Sequence, residues 1–186
     1  MGQFPEFEKT YGPPRDCERL AEDAIRAYQG ELPSQLLDHW RETGWCSYGD
    51  GLLWFTNPKD FEGVVEDWLA FESGRALVFL RTAFAHLYLW HEGYAYSLDV
   101  QRGEISQVTD NIEVLFLLLC DKDIQEKILR LGLYREVKER LGAPGRDECD
   151  AFVPALALGG PGTAESVQRV KLREHLGMLA QIVLGQ

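Results

Sequence analysis

The chain has 186 residues, 45% of them hydrophobic and 26% charged, a size and balance that suit one soluble domain or two small ones sharing a core and exclude disordered and fibrous classes. Its 30 acidic and 19 basic side chains leave a net charge of −11, which disfavours direct contact with nucleic acid or anionic membrane and favours a basic protein partner. Residues 1–110 hold 19 of the acidic and 9 of the basic groups, so the acidity lies almost wholly in the first part.

The chain opens on an irregular arm containing Pro5, Gly12, Pro13 and Pro14. Asp16 then caps a first helix with Leu20, Ala21, Ala24, Ile25 and Tyr28 at helical spacing and Gly30 at its end. Its opposite face carries Glu18, Glu22 and Asp23. Pro33 starts a second short helix through Leu36, Leu37 and Trp40, stopped by Gly44. Residues 45–55 read as a hairpin about the turn Gly49-Asp50-Gly51. Asn57 and Pro58 begin a third helix with the stripe Phe61, Val64, Val65, Trp68 and Leu69, and Asp60, Glu62, Glu66 and Asp67 outward.

Residues 76–81, 86–90, 94–100 and 104–108 are β-rich runs separated by turns, which predicts an antiparallel meander with one buried and one wet face. Residues 112–120 are nearly all apolar and should sit deep, and Asp121 and Asp123 can cap the helix that follows. Another amphipathic helix spans 134–141, residues 152–160 read as extended, and Leu172, Leu176, Leu179 and Val183 mark a closing helix. The expected fold is α+β, a meander packed by N-terminal and C-terminal helices, divided into residues 1–110 and 111–186 that pack as one unit.

Catalytic chemistry is not legible. Gly159-Gly160-Pro161-Gly162 lacks the Lys-Ser/Thr of a phosphate loop, and His91-Glu92-Gly93 has no second histidine at zincin spacing. His39, His86 and His175 fall in patterned segments where a structural role is the default. Cys17, Cys46, Cys120 and Cys149 form no C-x-x-C pair, so reduced thiols are expected. Neither a secretory signal nor a membrane-length apolar run is present, which predicts a cytoplasmic protein. The residues therefore point to a binding protein rather than an enzyme, without cofactor or metal.

Two long motifs carry a family likeness. The run Leu32-Pro33-x-x-Leu36-Leu37-x-x-Trp40-Arg41-x-x-Gly44-Trp45-x-x-Tyr48-Gly49-Asp50-Gly51-x-x-Trp54-x-x-Asn57-Pro58 resembles the GAD-like domain. The stretch Cys149-x-x-Phe152-Val153-Pro154-Ala155-Leu156-Ala157-Leu158-Gly159-Gly160, followed by residues 170–176 and 179–181, resembles the C-terminal domain of Tdi-type type VI secretion immunity proteins. The resemblance implies an antitoxin that binds and neutralises a cognate type VI effector, typically a nuclease. An acidic inhibitor suits the basic cleft of such an enzyme, so Glu18, Glu22, Asp23, Asp60, Glu62, Glu66 and Asp67 are the expected toxin contacts. The competing reading is a regulatory module that binds a ligand or protein with no toxin partner.

Overall fold

The computed structural model describes residues 2–69, 71 and 74–185. Seven strands follow one another in the sheet as they do in the chain: β1 (Arg15–Glu18), β2 (Trp45–Tyr48), β3 (Leu53–Phe55), β4 (Leu77–Thr82), β5 (Leu87–His91), β6 (Tyr94–Asp99) and β7 (Glu104–Thr109). Every neighbouring pair is antiparallel. A separate two-stranded sheet pairs β8 (Glu148–Phe152) with β9 (Val167–Lys171). Helices α1 (Pro5–Tyr11), α2 (Glu22–Arg26), α3 (Ser34–Thr43), α4 (Ile112–Leu119), α5 (Lys122–Lys127), α6 (Leu131–Leu141) and α7 (Leu172–Val183) complete the α+β architecture.

Apolar residues alternate along the central strands into two cores rather than one. Phe79, Tyr88 and Trp90 point to a core closed by α1, α3, α4 and α6, with Phe7, Trp40, Phe116 and Tyr134 among its members. Val78, Leu87 and Leu89 point to the other, closed by α7 and by Phe61, Val65 and Trp68. The wet face expected of the meander is therefore covered along β4 and β5, which are buried throughout. Period-2 alternation cannot distinguish a covered second face from a solvated one when both positions of each pair are apolar.

Three helix expectations need correction. The expected irregular arm contains α1, with Pro5 in its first turn and Phe7 and Tyr11 buried one turn apart. The helix expected from Asp16 to Gly30 is instead β1 followed by the five-residue α2, so Glu18 lies on a strand and not on a helix face with Glu22 and Asp23. The third helix is two 3-10 turns, Pro58–Phe61 and Glu66–Trp68. Gly63 between them has φ +74°, a left-handed value that ends a helix, although Asn57 accepts a bond from the Lys59 amide as its cap. The run expected to be extended over 152–160 leaves β8 at Phe152 and turns through Leu156–Leu158.

Where the β1–β2 register shifts between the pairs Arg15–Ser47 and Glu18–Trp45, the structure joins Cys17 and Cys46 as a disulfide, against the expectation of four reduced thiols. Cys120 and Cys149 are free. The turn between β2 and β3 needs glycine for space as well as φ: at Gly51, φ +92°, a Cβ would stand 3.0 Å from that of Ala143.

That contact belongs to a broad joint between the first 110 residues and the rest. Arg81, fully buried on β4, donates to the carbonyls of Gly145 and Arg146 at 2.9 Å each. Arg146 donates back to Asp16 and Trp45 carbonyls at 2.8 Å, and Tyr134 and Lys138 hold the Asp50 carbonyl and carboxylate at 2.6 and 2.9 Å. The Phe84 and Phe152 rings stack at 5.5 Å.

Candidate partner-binding surface

The seven acidic residues singled out by the sequence lie in unlike local settings. Glu18 and Asp60 meet at the joint, where Arg146 approaches the Glu18 carboxylate to 3.5 Å and lies over Trp54 at 5.4 Å. Partial burial, and then the negative charge of Glu18, hold the Asp60 carboxyl above the usual range against the pull of Arg146 and Arg173. Arg173 fixes this corner by donating to the Asp60 and Glu62 carbonyls at 2.7 and 3.0 Å. The resulting cavity, about 460 Å³, is lined by Asn57, Asp60, Phe61, Arg146, Leu172 and Leu176.

Elsewhere Glu22 is 3.3 Å from Arg41, and Glu62 is 2.9 Å from Arg75, which also reaches Glu31 at 3.0 Å. These exposed pairs contribute little to stability and lower the charge offered to a partner. Asp23, Glu66 and Asp67 are exposed and make no ion pair among the described residues. Arg75 separates two grooves, one of about 520 Å³ bordered by Glu31, Trp90, Asp110 and Ile112, the other of about 530 Å³ bordered by Glu62, Glu66 and Leu77. Sequence reasoning passed over Glu31 and Asp110; the only signal they carry is their charge in a loop and beside a helix cap.

His39, His91 and His175 are buried, and His86 is half-buried. His39 Nε2 lies 3.2 Å from the Tyr48 hydroxyl, and His86 Nε2 lies 2.6 Å from Ser97 Oγ. Neither ring nitrogen of His175 has a hydrogen-bond partner within the apolar core against α7. Burial lowers all three imidazoles to about 4. Among the described residues no group of three or more His, Cys, Asp or Glu could hold a metal ion.

Because these imidazoles are neutral in the folded chain, the unfolded chain takes up protons first as pH falls below about 6.5. Their contribution to stability is complete above that value and is lost progressively towards pH 4. His175→Leu should raise stability by about 1–3 kcal/mol and flatten this decline, because it removes an unpaired buried polar ring. Urea unfolding above and below the imidazole range tests this; an unchanged slope with pH would reject the assignment.

A family model for the GAD-like domain matches residues 3–103. The chain belongs to the GAD-like domain family. A second model, described as T6SS immunity protein Tdi1, C-terminal, matches residues 109–183 and indicates a type VI secretion immunity protein. That match implies a cognate effector toxin as partner. The crystal structure of Atu4351 from Agrobacterium tumefaciens is similar to this GAD-like chain with a TM-score of 0.78, covering 95% of this chain and 87% of that one. At 18% identity this likeness shows the shared fold alone. No curated protein matched. Among the described residues no helix is long and apolar enough to cross a membrane.

Proposed function

We propose that this chain is a cytoplasmic antitoxin that binds a cognate type VI effector, a nuclease, and blocks its active or DNA-binding site without itself performing catalysis. The C-terminal immunity match is the observation that carries this reading. The net charge of −11 supports a basic target, since a nuclease presents positive charge to DNA and an acidic inhibitor is steered towards it. Asp23, Glu66 and Asp67 offer the least neutralised charge, while Glu18, Glu22, Asp60 and Glu62 contribute through a field already reduced by nearby arginines.

The test uses the product of the reading frame adjacent to this chain's own. That product should degrade cellular DNA when expressed alone and should co-purify with this chain when the two are expressed together. Reversing Asp23, Glu66 and Asp67 to lysine should slow association about tenfold at low salt and much less at high salt, as screened steering requires. Absence of a complex would refute the immunity reading, and a complex without DNA damage would refute the nuclease. The cavity bordered by Phe61 and Leu172 favours a second reading, a ligand-binding regulator. A melting temperature raised by a small molecule, with no toxin partner, would select it.

A further inference from the structure

The nearly all-apolar run 112–120 is expected to sit deep, and the fold buries one face of it. Helix α4 directs Ile112, Leu115, Phe116 and Leu119 into the first core and turns Val114, Leu117 and Leu118 outward, 40%, 56% and 39% exposed. A surface helix ordinarily carries polar residues on that side, and three large aliphatic side chains within five positions form an apolar stripe that the other described residues leave uncovered. Against Leu117 lies a recess of about 260 Å³ whose walls include Pro5, Glu6, Glu113 and Phe116.

Acidic groups border the stripe. Glu113 stands one helical turn before Leu117 and Glu6 lies across the recess, while Asp121, just beyond the end of α4, caps α5. Asp110 precedes the helix and borders the 520 Å³ groove that opens beside Ile112. The nearby bases are fewer: Lys9 is engaged by Glu6 at 3.3 Å, and Lys122 follows Asp121.

We propose that this face of α4 is the docking site of the effector, taking an apolar patch of that protein flanked by lysine or arginine. The proposal rests on the immunity reading and adds the place where affinity resides. An apolar centre desolvated within a charged rim is where binding energy concentrates, whereas the rim sets the rate of encounter. A second copy of this chain fits less well, because acidic rim would face acidic rim.

The adjacent frame's product, catalytically disabled, serves as the probe in a kinetic binding assay. Leu117→Gln combined with Leu118→Gln should raise the dissociation rate about tenfold or more while leaving the association rate near wild type. Glu113→Lys should instead slow association. Thermal melts of each variant establish that it folds, and Val114→Thr, nearly isosteric, replaces the double variant if that one melts early. A folded double variant that dissociates at the wild-type rate would overturn the α4 site and leave the immunity reading intact. Wild-type chain that fails to bind the probe would remove that reading and this proposal together. Sedimentation showing a wild-type dimer that Leu117→Gln dissociates would assign the face to a second copy and overturn the proposal.

Discussion

Arg81→Ala is expected to destabilise the whole chain by about 3–5 kcal/mol, the loss typical when a buried hydrogen-bonded charge is removed and its partners are stranded. Arg81 is fully buried, and desolvation lowers its guanidinium only to about 10, so it stays charged at neutral pH. Its charge is met by the carbonyls of Thr82, Gly145 and Arg146 and by the face of Trp54 at 5.3 Å. Alanine would leave those carbonyls without their donor in a dry site and open a cavity beneath the indole. In a chain of this length the loss corresponds to a fall in melting temperature of roughly 10 °C. Arg81→Met, which keeps the stem but not the donors, should fall between wild type and alanine. A change below about 1 kcal/mol in urea unfolding would mean that the joint is held elsewhere.

The second large effect concerns division of the chain. Residues 1–110 made alone should fail to reach a native state, even though they contain the complete seven-stranded sheet. The core over Phe4, Phe7 and Phe55 is completed by Phe116, whose ring lies 3.9, 5.0 and 5.6 Å from theirs, with Ile112, Leu115 and Leu119 beside it. Tyr11 also donates its hydroxyl to the Leu119 carbonyl. On the opposite face the loss of α7 would uncover Leu87, Leu89 and Leu98. Both faces would be open to water, at roughly 1.5–3 kcal/mol for each large side chain exposed. We expect the fragment to bind a hydrophobic dye and to show little dispersion in its amide NMR spectrum. A cooperative melt with dispersed resonances would establish residues 1–110 as an autonomous domain.

Much of the fold was readable where one signal dominated locally. The meander strands fall within a residue or two of the β-rich runs, and the Gly49-Asp50-Gly51 turn, the Asn57 and Asp121 caps and the closing helix appear where the spacing put them. Misreadings arose where tertiary pairing overrode local pattern. Ala21, Ile25 and Tyr28 have helical spacing, but Arg15–Glu18 gains more by pairing with β2. Phe61 and Trp68 share a helical stripe, yet Gly63 takes a left-handed turn between them. The binding surface was less legible than the fold. Composition located the charge in the first part, but only three-dimensional placement shows that Glu22 and Glu62 face their own arginines and that Leu117 faces outward.

Sheet order identical to chain order has a consequence during synthesis. Each strand from β2 to β7 finds its partner immediately upstream, so the sheet can assemble as the polypeptide leaves the ribosome. Its covering helices α4 and α7 are made afterwards. At roughly 5–20 residues per second, the remaining stretch takes several seconds to appear, and through that interval a nascent sheet would wait with part of each apolar face uncovered. The newborn chain is therefore a natural client for a ribosome-associated chaperone.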